Sequence, residues 1–329
     1  MKDHSGIFTI SIDFELYWGV RDIFRLDEYK FNIANVHRFV PAVLDLFREY
    51  DIHATWAAVG FLFFGSRLEL VSHLPDRQPV YADPNLSPYP YIARLTDERQ
   101  AEPYHFAPAL IESIAATPGQ ELATHTFSHY YCLEEGQTAG DFRADLQAAI
   151  RTADQRGIQI KSIVFPRNQC PPEYLGICKE MGIVAYRGAE KNWMYRPARR
   201  ASARTPLRRM LRLLDVYLNL SGHNTFALPN STSLPLNIPS SRLLRRYSRI
   251  LRPLEPLRFR RIASGLEFAA RNRRVFHLWF HPHELAGDMK ENLRLLERIL
   301  LRFKDLQEQY GMQSLNMVEI ARLAGAETA

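Results

Sequence analysis

The segment Gly6-Ile7-Phe8-Thr9-Ile10-Ser11-Ile12-Asp13-Phe14-Glu15 decides how this chain is expected to fold. Apolar and polar residues alternate with the period of a strand. Ile10, Ile12, Phe14 and Leu16 fall on one face, and Ser11, Asp13, Glu15 and Tyr17 on the other. The pattern predicts a strand over residues 6–13, with the alternation running on to Trp18. Its apolar face must pack on helices. Its polar face carries two carboxylates and needs a wet or liganded place to point. The mouth of a barrel, at the C-terminal ends of its strands, supplies one; the crevice of an open sheet supplies another.

Outward from this segment, strands are expected at 54–59, 121–126, 160–165, 183–186 and 275–280. Helices are expected at 36–50, 140–156, 172–181, 290–310 and 318–323, the first from Val36, Phe39, Val40, Val43, Leu44 and Phe47 at helical spacing. Alternating strands and helices argue for an α/β fold with a mainly parallel sheet. The chain of 329 residues, 46% hydrophobic and 24% charged, can bury a large core and is not disordered. It reads as one domain, 1–329, with insertions at about 65–108, rich in Pro and Tyr, and at 196–274.

Residues 1–6 run straight into the first strand with no basic stretch followed by an apolar one, and the apolar run 56–64 is too short to span a bilayer. Cys132, Cys170 and Cys178 form no C-x-x-C pair and read as reduced thiols. These features lead to the expectation of a cytoplasmic protein. The net charge of +6 is unevenly spread. Residues 196–274 hold eighteen Arg and no Lys against Asp215, Glu255 and Glu267, so this block is +15 and the rest of the chain −9. A basic block on an acidic body suggests an anionic partner.

Four groups of residues carry the chemistry. Asp13 and Glu15, at strand period, share a face roughly 7 Å apart, close enough for one to bind a metal and the other to address water. His125 and His129, in His125-Thr126-Phe127-Ser128-His129, would stand about 5–6 Å apart if helical, a spacing that suits Zn²⁺; with eleven His in the chain, such a pair can also arise by chance. His277, Trp279 and His281 point one way on a strand, and any of the three histidines His277, His281 and His283 can serve there as a general acid; the competing reading for each is a core histidine bonded to backbone. Phe165-Pro166-Arg167-Asn168-Gln169 ends another strand, where Arg167 can hold an anion or orient a carboxylate, or lie in a plain surface loop. Trp18, Asn168, Trp193, His277 and His283 are candidates for substrate binding.

Taken in this order, the segments resemble the NodB-homology polysaccharide deacetylases, carbohydrate esterase family 4. The first motif is met by Thr9 to Glu15, the second, H-[S/T]-x-x-H, by His125 to His129, and the last by Leu278-Trp279-Phe280-His281-Pro282. Ala54 to Gly60 is similar to the family's second strand, and the Arg167 segment lies where its third motif belongs. The resemblance implies a distorted (β/α) barrel that hydrolyses an N-acetyl group on a sugar. It implies Asp13 as general base, His281 as general acid, Arg167 positioning Asp13, and Glu15, His125 and His129 as ligands of a divalent metal, with zinc expected. The chain departs from the family in its Asp-x-Glu spacing, which also occurs in an allantoinase-like branch, and in the place of Arg167. No clear Asp partners His281, for which Glu190 is a candidate. A cyclic amidase of that branch, and a non-catalytic sugar- or lipid-carrier-binding protein, are the competing readings.

The basic block reads as an amphipathic helix over 206–220, with Arg208, Arg209 and Arg212 on one side, and as similar Arg-plus-Leu character over 242–262. It suits a lid over the site or a peripheral membrane contact; no nucleic-acid motif is present and none is expected to bind. The expected substrate is an amino-sugar or glycan precursor of surface polysaccharide, carried on a lipid diphosphate or a nucleotide.

Overall fold

The structure, a computed structural model, describes residues 4–95, 103–196, 205–228 and 233–326. Nine strands form one sheet: β1 (Ile7–Phe14), β2 (Ala54–Ala58), β3 (Gln120–Thr124), β4 (Ser162–Ile163), β5 (Ala185–Tyr186), β6 (Leu236–Asn237), β7 (Arg242–Leu243), β8 (Val275–Phe280) and β9 (Gln313–Ser314). Their order is β6-β5-β4-β3-β2-β1-β8-β7, with β9 joined to β1, and every pairing is parallel. β6 and β7 end the order and do not pair. The sheet is a distorted (β/α) barrel left open between them.

β1 is buried on both faces. Phe8, Ile10, Ile12 and Phe14 pack outward with Val36, Phe39, Val40 and Val43 of the Val36–Glu49 helix and with the Met289–Tyr310 helix. The inward face is layered. Ile7, Val275 and the Met317–Leu323 helix form an apolar plug at the bottom. Above it Ser11, Thr55 and Glu121 stand in register, and above these Asp13, Ala57 and Ala123. Glu121 is a half-buried residue whose carboxylate accepts from Thr55 Oγ1 (2.7 Å), from Ser162 Oγ and from the Val318 amide (3.1 Å). It thereby caps the C-terminal helix inside the barrel. Alanine at two positions level with Asp13 leaves room for large polar side chains at the mouth.

The alternation of β1 stops at Phe14 rather than continuing to Trp18. Leu16 takes a left-handed conformation (φ 47°), and Leu16–Gly19 is a 3₁₀ turn. The turn brings Gly19 onto the Glu15 carboxylate so closely that a Cβ there would lie 2.0 Å from it. The 65–108 segment contains short helices at Arg67–Val71 and Tyr89–Ala93, and its residues 96–102 lie outside the described residues. The 196–274 block is not a single insertion: it supplies β6, β7 and the Glu255–Arg271 helix as well as the Pro206–Leu214 helix. Its residues 197–204 and 229–232 lie outside the described residues.

Candidate active site

The ends of β1, β3 and β8 converge on a cavity of about 460 Å³. Asp13, Glu15, His125, His129, Arg167, Asn168, His281 and His283 line it; Trp18, Trp193 and His277 do not.

Glu15, His125 and His129 offer ligand atoms that all lie within 4.8 Å of one another, and all three residues are buried. Glu15 Oε2 is 3.2 Å from His125 Nε2 and 3.0 Å from His129 Nε2. His125 Nδ1 stands 2.8 Å from the Val164 carbonyl. That bond fixes a proton on Nδ1 and turns Nε2 toward Glu15, the orientation metal-binding histidines use. Two imidazole nitrogens and a carboxylate are a donor set that zinc and other first-row divalent ions accept. Burial opposes ionisation of Glu15, but the charge of His281 and the bonds from His125 and His129 hold it well below the usual carboxylate range. Burial pulls His129 below its ordinary value, toward the neutral ligand form.

The two histidines are not on a helix. Thr126 (φ 63°) and His129 (φ 58°) are both left-handed, and the turn between them is held from below by Asp145. Its buried carboxylate accepts from the amides of Phe127 (2.7 Å) and Ser128 (3.2 Å) and from Ser128 Oγ. Asp145 lies on the Ala139–Asp154 helix, eighteen residues from Phe127, and spacing within the motif gives no sign of it.

The arginine on Asp13 is Arg187, not Arg167. From the end of β5, Arg187 spends all five donors in the barrel. Nη1 reaches Asp13 Oδ1 (2.5 Å) and Ser11 Oγ (3.0 Å); Nη2 reaches Asp13 Oδ2 (2.8 Å) and Asn168 Oδ1 (3.1 Å); Nε reaches Asn168 Oδ1 (3.3 Å). The guanidinium also lies 4.3 Å from the centre of the Trp279 ring. Such a two-pronged pair suits Arg and no other residue. Burial opposes the charge on Asp13, but Arg187 outweighs it and the carboxyl titrates below its ordinary range. Asn168, expected to bind substrate, lines the cavity and steadies Arg187. Arg167 bonds Asp22, stacks on Tyr131 (4.1 Å to the ring centre) and approaches Glu134 at 3.8 Å. Both arginines end strands, but only the one after β5 reaches the register of Asp13.

His281 Nε2 points into the cavity, 3.6 Å from Asp13 Oδ2 and 3.8 Å from Glu15 Oε1. At 20% side-chain exposure it is the accessible histidine of the site; His125, His129 and His283 are at 5% or less. Its other nitrogen faces Glu284 Oε2 at 3.7 Å, so the acid beside it is Glu284, three residues on, while Glu190 accepts from Trp279 Nε1 (3.1 Å). Burial disfavours the imidazolium, yet Glu15 and Glu284 together raise His281 to about 9. His283, buried against Tyr29, is pulled down to about 4 by that burial. His277 is a core histidine: Nε2 meets Ser11 Oγ (2.8 Å), Nδ1 meets the Ile238 carbonyl (3.2 Å), and burial brings it to about 3. Trp18 is buried, with its indole N–H on the His105 carbonyl (2.7 Å) and its ring on Phe61. Trp193 is half exposed and outside the cavity.

No family sequence model and no curated protein sequence matches the chain. Solved structures do match. A protein from Mycobacterium smegmatis, provisionally named a polysaccharide deacetylase, superposes with a TM-score of 0.60 at 13% identity, over 99% of this chain and 92% of its own. The 4-alpha-glucanotransferase of Thermococcus litoralis (TM-score 0.53, 12% identity) matches 97% of this chain over 40% of its own. The GH57-type branching enzyme of Pyrococcus horikoshii (0.51, 11%) matches 98% of this chain over 71% of its own. At such identities the likeness is one of fold. The chain takes the polysaccharide-deacetylase fold that the order of its motifs implies.

Proposed function

We propose that this protein is a metal-dependent C–N hydrolase that removes an N-acyl group, acetyl in the simplest case, from an amino sugar. One observation carries the reading: a Glu15–His125–His129 donor set shares a cavity with a carboxylate and an imidazole that suit opposite halves of an acid–base pair. Glu15, His125 and His129 would hold the ion. When bound, the ion would supply Lewis-acid polarisation of the acyl carbonyl and stabilisation of the charge that develops on it.

The remaining steps belong to the chain's own residues. Asp13, kept ionised by Arg187, takes a proton from the attacking water as the water oxygen bonds to the acyl carbon. His281, kept protonated by its acidic neighbours, gives a proton to the sugar nitrogen as the C–N bond breaks. The products are a carboxylic acid and a free amine. Environments that push two titrating groups apart in this way are how acid and base roles are assigned at neutral pH. Glu284 orients His281 through Nδ1, and Asn168 and Ser11 hold Arg187 on Asp13.

The same proposal takes the amino sugar to be part of a surface-polysaccharide precursor, handled in the cytoplasm or at the inner membrane face. The arginine-rich wall of the cavity and the three unpaired cysteines support it. Among the described residues no helix is long and apolar enough to cross a membrane. Acid released from N-acetylated and N-formylated sugars by protein loaded with one zinc per chain tests the reading. Turnover undiminished after metal removal would leave a metal-free cyclic amidase as the better account.

A further inference from the structure

One wall of the cavity is built from arginines that the proposed reaction does not use. Arg212 comes from the Pro206–Leu214 helix, Arg242 from β7 and Arg245 from just beyond it. Counting on from the pairing of Leu243 with Trp279, Arg245 stands level with His281 on the neighbouring strand.

Their charges are poorly met. Arg242 and the buried Arg261 share one carboxylate, that of Asp215 (3.0 and 3.3 Å), which also accepts from Tyr195 and Ser221. After this sharing, Arg242 Nε and Arg261 Nη1 are buried without a hydrogen-bond partner. Arg212 spends Nε on a neutral group, the Met194 carbonyl (2.6 Å), and packs near the Tyr195 ring. The Arg245 side chain is exposed and makes no hydrogen bond or ion pair among the described residues. The charges crowd one another: burial and then Arg242 bring Arg261 down to about 10, and burial, Arg208 and Arg245 disfavour the charge on Arg212 more than Tyr195 and Glu190 favour it. Of the cavity's carboxylates, Asp13 is held by Arg187 and Glu15 by the histidines; Glu284 is shared by His281 and Arg245, and Glu190, which accepts from Trp279, also acts on Arg212, so two acids face the arginine wall without forming an ion pair with it. Clustered cations that lack counter-charges in a cavity call for an anionic ligand, and guanidinium groups suit phosphoryl oxygens best. On the outer face of the same helix Leu207, Met210, Leu213 and Leu214 are exposed.

We infer that Arg212, Arg242 and Arg245 form an anion subsite, and that the substrate is an N-acylated amino sugar carrying a phosphate ester beside the sugar ring. The inference rests on the amide-hydrolase reading above. A nucleotide diphosphate and a lipid diphosphate share this chemistry.

Calorimetric binding tests it with N-acetylglucosamine 1-phosphate against its uncharged methyl glycoside. Wild type, Arg212→Ala/Arg245→Ala and Arg209→Ala are compared, the last removing an exposed arginine outside the cavity. Any phosphate–metal contact is common to all three. The expected result is at least tenfold tighter binding of the phosphate by wild type and Arg209→Ala, with the preference lost in the double variant. Equal binding of the two sugars, no binding of either, or a preference that survives the double variant would overturn the subsite. If the double variant misfolds by circular dichroism, Arg245→Ala alone, at an exposed position, must weaken phosphate binding severalfold. Acetate release measured in the same samples separates the two readings: a binding preference without hydrolysis retains the subsite and rejects the hydrolase. UDP-N-acetylglucosamine against a lipid-diphosphate-linked sugar in vesicles identifies the source, and tighter binding of either supports the subsite.

Discussion

Arg187, at the end of β5, grips both carboxylate oxygens of Asp13, at the end of β1, from across the barrel. The two strands are not neighbours in the sheet, so this pair ties opposite walls together at the level where the reaction is proposed. Arg187→Lys keeps the charge but loses the two-pronged grip and the bonds to Asn168 and Ser11. It should lower kcat by about 100-fold, the scale of one positioned acid–base group. The acid limb of the pH–rate profile should move to higher pH, because Asp13 is no longer held so far below its ordinary range. An unchanged profile would show that Arg187 serves stability only.

The metal donors and the base should separate cleanly. Chelation should abolish activity, and zinc should restore it. His129→Ala should bind less than one zinc per chain by elemental analysis, whereas Asp13→Asn should keep the metal and lose turnover by about 10²–10⁴-fold. Full turnover by Asp13→Asn would refute the base assignment.

Arg167 offers the contrasting case. It anchors Asp22, whose neighbours Val20, Ile23 and Phe24 line the cavity. Arg167→Ala should raise KM about tenfold, the loss of one charge-assisted bond, with kcat changed by a small factor. A large fall in kcat would return Arg167 to the catalytic machinery.

Glu284 keeps a negative charge beside His281, and its own carboxyl is lowered to about 2: burial opposes this, and the adjacent His281 imidazolium outweighs it. His281 is raised to about 9, so the acid stays charged at neutral pH and is lost as pH rises through that value. Glu284→Gln should bring the alkaline limb to lower pH and reduce kcat by about 10-fold, within the usual range for an outer-shell partner.

Asp215 makes a stability prediction. It is buried; burial opposes its charge, but Arg242 and the bonds from Ser221 and Tyr195 lower it from 3.8 to about 2. A carboxyl lowered on folding stabilises fully above its unfolded value, and that contribution fades as pH falls from about 4 to about 2. It amounts to about 2 kcal/mol by the conversion of pKa to free energy. Asp215→Asn should cost at least that at pH 7, since two arginines lose their counter-charge, and should flatten the acid end of a urea-denaturation profile. A mutant whose stability matches wild type at pH 7 would show that the arginines find other partners.

The sequence revealed strands with a strong pattern and hid those without one. β8 lies at the expected 275–280 because six residues form a nearly unbroken apolar run, long enough to mark a buried strand. β6 and β7 are two residues each, like β4 and β5, but no apolar run surrounds them as Ile160 to Phe165 and Ile183 to Tyr186 surround those two. Asp13, Glu15, His125, His129, Arg167 and His281, which converge on the cavity, come from short, spaced signatures. Arg187 belongs to no signature, and only its distance across the barrel gives it a role. Glu284 was within reach: an acid three residues after His281 lies on the same side of the helical turn that follows β8. The alternation expected to run on to Trp18 ends at Phe14, because left-handed Leu16 turns the chain. The arginine block held a clue in its scarcity of acids, since Asp215, one of only three, had to sit among several arginines.

The opening between β6 and β7 separates what the protein does from what it selects. The donors and the proposed acid and base stand on β1, β3 and β8, whereas the arginine wall hangs on the chain that enters and leaves the gap. Rebuilding that wall would leave the reacting groups untouched. A descendant of this gene, or a protein engineer, could exchange one recognised class of molecule for another by rewriting a single stretch of coding sequence.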